Sequence, residues 1–431
     1  MSAVFDELCR SIQALGMYGR RPGRELTREL LAHFDHPERG HRIIHIAGTN
    51  GKGSTAWYTA GFLTKAGYTV GLYTSPHLVR MTERIRLDGR EISDADFIRL
   101  GQSVLQSGLE MTASDVLLLI AIRYFTECAC DYIVIETGLG GRYDSTNALT
   151  DPDMGGAAEL AVLTRIDLDH TAILGDTLSD IAGEKAGIIK PHTTVVLAEN
   201  PPEVEDIISR HCAKCGALLY KTREAADIDN WIAGFFPQLY QTYQRENLAN
   251  AVLALRLLEL RQVTHRVDQG KEAFLLPDAD RIKDGITPVP GRLQVICREP
   301  LVIVDGAHNP SGARALADSL AAVFPDRQFD CVIGIVRDKD ADGILAPMLG
   351  WMRSASVVEV GDAERRTDGE ALCRMLTEKG VPARLYGSFA EAYRWLSGRG
   401  QPQGIVVFGS LYLVREAIPV MEDGDGISYT S

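Results

Sequence analysis

No apolar run in this chain approaches the ~20 residues needed to cross a bilayer; the longest, such as Val116 to Ile122, fall far short. The opening residues MSAVFDELCRSIQAL also lack the basic-then-apolar order of a signal peptide, so a cytoplasmic location and no membrane partner are expected. Cysteine is sparse, 8 in 431 residues, which is too dilute for a disulfide scaffold and suits a reducing compartment. One pair, Cys212-Ala213-Lys214-Cys215, has C-x-x-C spacing and no second pair, which is a weak signal for a metal or redox site. Basic residues are outnumbered, 45 against 58 acidic, for a formal charge of −13. That balance disfavours a general nucleic-acid or anionic-membrane surface, and any anionic substrate must be held by a local site. Internal repeats and low-complexity tracts are absent as well.

What is present is the composition of an ordinary globular chain, 45% hydrophobic and 24% charged. At ~100–200 residues per domain, two or three domains are expected. Short β-rich apolar runs recur at IIHIAG (43–48), TVGLYT (69–74), DYIVIETG (131–138), AELAVLTRID (158–167) and TTVVLAEN (193–200), with segments of helical spacing between them. Runs of this kind are buried parallel strands in a series of βα units. A second set follows at LVIVDGAH (301–308), CVIGIV (331–336), SVVEV (356–360) and GIVVFGS (404–410), forming a smaller α/β unit. The proline- and glycine-rich DGITPVPGR (284–292) reads as the joint, with the boundary near Pro290, and the tail EDGDGISYTS reads as frayed.

Polar clusters sit directly behind these runs: GTNGKGST, TSPH, ETGLGG, DLDH and DGAHNP. In open parallel sheets that is where ligands bind. In GTNGKGST, Gly48, Gly51 and Gly53 permit close backbone approach to phosphate oxygens, Lys52 adds charge, and Ser54 and Thr55 open the next helix. The stretch departs from G-x-x-x-x-G-K-[ST] because Gly53 separates Lys52 from Ser54. Glu136 ends a buried strand, where a carboxylate must be paired, be a cap, or bind a cation. His170, beside Asp167 and Asp169, reads either as a metal ligand or as a cap; oxygen-preferring magnesium would make it atypical and leaves manganese open. Asp305 and His308 flank a glycine after a strand, which suits a cleft or an Asx turn with Asn309-Pro310. Nothing in the residue pattern singles out Lys185.

Taken in order, the motifs resemble the folylpolyglutamate synthase and dihydrofolate synthase family of the Mur-ligase superfamily. The carriers are GTNGKGST (48–55), YTSPHLVRMTERIR (73–86), ETGLGGRYDSTN (136–147), DHTAILGDTLSDIAGEKAGIIKP (169–191), QRENLANA (244–251), PGRLQV (290–295), DGAHNP (305–310), DKD (338–340) and FGS (408–410). The resemblance implies an α/β fold, with a large P-loop-type ATP-binding domain of mostly parallel sheet (1–290) followed by a smaller Rossmann-like glutamate-ligase domain (291–431). It implies ATP and Mg2+, or Mn2+, as cofactors, and small molecules as partners: ATP, L-glutamate and a folate or dihydropteroate. A monomer is expected.

Residue by residue, the resemblance places Thr49, Asn50, Gly51, Lys52, Gly53 and Ser54 on the ATP phosphates, with Asn247, Arg292 and Asp305 as further ATP contacts. Ser75, Glu136 and His170 match metal ligands, and Lys185 matches a lysine carbamylated in the family. Lys52, Lys185, His170 and His308 would carry the chemistry, with His308 and Ser410 on the glutamate side. The implied reaction forms an acyl phosphate, which glutamate then captures. One departure stands out: Ser114-Asp115 occupies the place of a usual Phe-Glu on the pterin side. A Mur-type ligase with another carboxylate acceptor, or a nucleotide-binding protein without catalysis, are the competing expectations.

Overall fold

The computed structural model describes residues 3–16, 23–267, 287–361, 365–398 and 404–425. They divide into two compact units, Met1–Pro237 with Gln244–Ile286, and Gln238–Tyr243 with Thr287–Ser431. A segment well ahead of Pro290, Gln238–Tyr243, thus groups with the second unit. Of DGITPVPGR, residues 284–286 lie outside the described residues, and the rest forms turns without a regular element. Residues 426–431 of the tail also lie outside them.

The first unit contains an eight-stranded sheet in the order β4-β3-β2-β5-β1-β6-β7-β8. Its strands are β1 (Arg42–Ala47), β2 (Val70–Tyr73), β3 (Ile85–Leu87), β4 (Arg90–Glu91), β5 (Tyr132–Glu136), β6 (Ala158–Leu163), β7 (Thr194–Leu197) and β8 (Leu218–Lys221). The pairs from β2 to β8 are parallel, while β3 and β4 add an antiparallel margin. β1, β2, β5 and β7 are buried almost throughout, as expected for strands covered on both faces. One core packs the helix Ala113–Glu127, by Val116, Leu119 and Ile120, with Ile133 and Ile135 of β5; another packs Ile181 and Ile208 with Val195 of β7.

The second unit contains six strands in the order β13-β12-β11-β14-β10-β9. They are β9 (Gln294–Arg298), β10 (Leu301–Val304), β11 (Phe329–Ile333), β12 (Met352–Val358), β13 (Ala383–Tyr386) and β14 (Ile405–Phe408), and only β9 runs antiparallel. The helix Pro310–Val323 follows β10, opened by the Asn309 side chain accepting from the Gly312 amide and by Pro310 in its first turn. Among the described residues, no helix is long and apolar enough to cross a membrane.

Candidate functional site

β1 runs into residues 48–51 and then into the helix Lys52–Lys65, the strand–loop–helix order that a phosphate loop requires. Gly51 is the helix N-cap at φ 88°, a left-handed conformation that also brings its Cα against Asn247; an added Cβ would fall 2.2 Å from the Asn247 Oδ1. The loop is braced from β6, since the Thr49 and Asn50 amides both donate to the Arg165 carbonyl at 2.7 and 3.2 Å. Thr164 Oγ1 donates to the Asn50 carbonyl at 2.8 Å, and Thr49 Oγ1 to that of Asp167 at 2.9 Å. The first amides of the helix have no partners within it, so the turn is preset for an anion.

Two cations converge here. Lys52 Nζ donates to the carbonyls of Gly48 and Thr49 at 3.0 and 3.1 Å, and Lys185 Nζ donates to the same Gly48 carbonyl at 2.7 Å. Lys185 stands in the last turn of the helix Leu178–Ala186 and is buried. Burial, reinforced by the Lys52 charge and opposed by Asp169 and Asp144, lowers its amine from 10.5 to about 7. The neutral amine is the form that reacts with carbon dioxide, and this shift makes that form available near neutral pH.

Glu136 ends β5 opposite Ile46 of β1, which sets its carboxylate beside the start of the loop. Its Oε2 accepts from the Ser75 amide at 2.9 Å. A Cβ on Gly53 would lie 3.2 and 3.4 Å from the two Glu136 oxygens. The glycine that breaks the common P-loop pattern is therefore what admits Glu136 to the edge of the cradle. His170 takes a left-handed conformation (φ 51°) as N-cap of the short helix Thr171–Leu174, with its Nε2 3.9 Å from Asp169 Oδ2. Among the described residues no group of three or more His, Cys, Asp or Glu side chains is arranged to hold a metal. The oxygens of Ser75 and Glu136 suit a hard ion such as magnesium, and the His170 imidazole leaves manganese open as well.

Asp115 corrects an expectation of a ligand-facing role. It is fully buried, and its Oδ1 accepts from Thr27 Oγ1 and Ser145 Oγ at 2.7 and 2.5 Å, its Oδ2 from the Thr112 amide and hydroxyl at 2.8 and 2.7 Å. This carboxylate caps the helix Ala113–Glu127 and supports the loop after β5. Ser114 beside it is half-buried.

In the second unit, Asp305 follows β10. Its Oδ2 accepts from Tyr243 Oη at 2.6 Å and the Leu293 amide at 2.8 Å, its Oδ1 from the Ala307 amide at 2.8 Å. Burial pushes the Asp305 carboxyl up, opposed by Arg292 and by these donors. His308 Nδ1 lies 2.8 Å from the Gly306 carbonyl. Ser410, buried, accepts from the Tyr412 amide at 3.0 Å and opens the helix Leu411–Asp425. Thus Arg292, Asp305 and His308 gather on the loops beside β10, with Ser410 at the exit of the adjacent β14. Cys212 and Cys215 fall on the helix Pro202–Cys215, and all eight cysteines are free.

Sequence reasoning missed Thr164, Asp144, Asn147, Lys190 and Tyr243. Asp144 is buried, accepting from the Thr146 hydroxyl at 2.5 Å and the Leu139 amide at 2.8 Å, and burial raises its carboxyl. The signal was faint: Asp144 and Asn147 lie in the quoted GGRYDSTN and Lys190 in GIIKP, but their partners are remote in sequence.

Comparison with known proteins gives these placements a context. Residues 291–411 match the family described as Mur ligase, glutamate ligase domain. The dihydrofolate synthase/folylpolyglutamate synthase of Bacillus subtilis is 33% identical over 348 residues, covering 75% of this chain and 77% of the relative. The Mycobacterium tuberculosis folylpolyglutamate synthase complexed with ADP and AMPPCP superposes with a TM-score of 0.80 at 27% identity, covering 97% of this chain and 98% of that one. A bifunctional folylpolyglutamate synthase/dihydrofolate synthase with Mn, AMPPNP and L-glutamate bound gives a TM-score of 0.78 at 26% identity, covering 98% of each chain.

Proposed function

The chain belongs to the dihydrofolate synthase/folylpolyglutamate synthase family of ATP-dependent glutamate ligases, and from that premise we propose how its own residues divide the work. It joins L-glutamate to a folate or dihydropteroate carboxylate and releases ADP and phosphate. The single observation that carries the residue assignment is the convergence on Gly48: two lysines donate to one loop carbonyl, with Glu136 against Gly53.

In this reading residues 1–290 hold the nucleotide and acceptor, and residues 291–431 the glutamate. An acceptor carboxylate oxygen attacks the γ-phosphorus, the bond to the β,γ-bridging oxygen breaks, and ADP leaves. The acyl phosphate is then attacked by the glutamate α-amine, the C–O bond to phosphate breaks, and the amine gives up a proton. Attack by one anion on another is the electrostatic problem. Lys52, swinging from the Gly48 and Thr49 carbonyls onto the phosphates, lowers that barrier together with the amides of Gly51, Gly53 and Ser54. Thr49 and Asn50 shape the loop, and Asn247 lines it beside Gly51. Ser75, Glu136, His170 and carbamylated Lys185 would hold Mg2+ or Mn2+, which when bound neutralises phosphate charge. Arg292 and Asp305 serve the nucleotide, His308 and Ser410 the glutamate, and Ser114 the acceptor.

The acceptor distinguishes dihydrofolate synthase, folylpolyglutamate synthase and bifunctional activity. An ADP-release assay with dihydropteroate, tetrahydrofolate and a monoglutamylated folate resolves them. Turnover requires both glutamate and at least one of these acceptors; turnover independent of acceptor, or only with an unrelated carboxylate, sinks the folate reading. A cytoplasmic monomer without nucleic-acid partners completes the proposal, supported by eight free cysteines and the −13 charge. Light scattering at assay concentration tests the monomer.

A further inference from the structure

Asn147 and Lys190 have no part in the nucleotide cradle or the proposed metal set, yet both are buried beside them. Asn147 lies in the turn Ser145–Ala148 after β5, and every polar atom of its amide is used. Nδ2 donates to the Arg142 and Gly187 carbonyls at 2.9 and 3.2 Å, and Oδ1 accepts from Lys190 Nζ at 2.6 Å. Lys190 Nζ also donates to the Gly187 carbonyl at 3.2 Å. Gly187 is the C-cap of the helix whose last turn carries Lys185.

Around this clip the chain packs backbone on backbone. The Arg142 amide donates to the Glu184 carbonyl at 2.8 Å. A Cβ on Gly141 would fall 2.7 Å from that carbonyl oxygen and 3.0 Å from the Lys185 Cα, and one on Gly187 2.5 Å from the Arg142 Cα. The loop that begins at Glu136 is thereby fixed against the turn that presents Lys185. A buried ammonium whose hydrogen bonds go to two neutral oxygens is a weak source of stability. What it does accomplish is to close the loop onto the helix end, where a cation also offsets the dipole.

We propose that Asn147 and Lys190 are positioning residues, a clip that sets where Lys185 stands relative to Glu136 and through them the metal affinity of the site. The inference rests on the ligase reading above, in which Glu136 and Lys185 serve one metal cluster. Partners that orient metal ligands from behind typically change metal affinity or activity by ~10–100-fold when removed.

The test uses the full chain, and its deciding readouts need no turnover. Mn2+ binding in the presence of a non-hydrolysable ATP analogue is followed by the EPR signal of the free ion, and Lys185 carbamate by 13C NMR after equilibration with 13C-bicarbonate. Lys190→Met and Asn147→Ala are expected to weaken Mn2+ binding by about tenfold or more and to lower the carbamate signal, with the KM for glutamate unchanged and Lys190→Arg recovering part of the affinity. Parental Mn2+ affinity and carbamate in folded variants overturn the proposal. So does a loss that only tracks the fraction of unfolded protein by circular dichroism. If Asn147→Ala does not fold, Lys190→Met decides alone, because it leaves Asn147 bonded to Arg142 and Gly187. A parent chain that binds no Mn2+ beside the nucleotide analogue overturns the ligase reading itself, and this proposal with it.

Discussion

A methyl group on Gly53 would press to within 3.2–3.4 Å of both Glu136 oxygens, while alanine is the better helix former by ~0.5–1 kcal/mol. Gly53→Ala is therefore expected to leave the melting temperature unchanged or slightly higher while raising the Mg2+ concentration needed for half-maximal turnover. Parental metal dependence in that variant means that Glu136 does not face the cradle's cation. Lys52→Ala is expected to cost ~10²–10³-fold in turnover, since a charge on the transferring phosphoryl group is removed; a near-parental rate would displace Lys52 from the reaction. Lys185 yields a pH prediction. Its amine, at about 7 in place of 10.5, is mostly protonated below pH 7 and mostly neutral above it. Carbamate formation, and turnover with it, should rise through pH 7. Between about 7 and 10.5 the unfolded chain binds the proton that the folded chain has released, so this group's contribution to stability increases with pH over that window. Lys185→Ala is expected to abolish turnover and short carboxylates to restore part of it; a flat pH profile together with an active alanine variant removes the carbamate.

The helix Ala113–Glu127 shows how far element-level reasoning reaches. Its apolar residues at helical spacing were legible, but the role of Asp115 depended on Thr27 and Ser145, which only the fold brings near. Asp115→Ala deprives four donors of one acceptor group and removes half of the capping box, at a cost of about 3 kcal/mol, read as a lower urea midpoint with the acceptor KM unchanged. A shift in acceptor KM at parental stability would return Asp115 to the substrate pocket. The strands follow the same logic. β1, β2, β5, β6, β7, β10, β11, β12 and β14 were legible because burial on both faces leaves an uninterrupted apolar run. β8, β9 and β13 escaped notice because they lie at sheet margins and alternate between buried or half-buried and exposed positions. β3 and β4 are too short to carry a pattern at all.

At the scale of the whole molecule, the residues of the site that were legible from local pattern share one property: each lies at or just beyond the end of an apolar strand, as Lys52, Ser75, Glu136 and Asp305 do. The supporting residues, Thr164, Asn147, Lys190 and Tyr243, act through tertiary hydrogen bonds that no local spacing encodes. The cation of the first unit's cradle, Lys52, is embedded in a chain of net charge −13. A net negative charge repels anionic folates and nucleotides at long range, while the local cation acts only at contact. Added salt screens the long-range part first, because the Debye length falls to ~10 Å at about 0.1 M. Hence kcat/KM for the anionic acceptor should hold steady or rise as KCl goes from ~10 to ~150 mM at saturating metal and ATP. A steep fall over that range would reveal a positive channel steering the acceptor, and the local-capture account of this acidic protein would have to be abandoned.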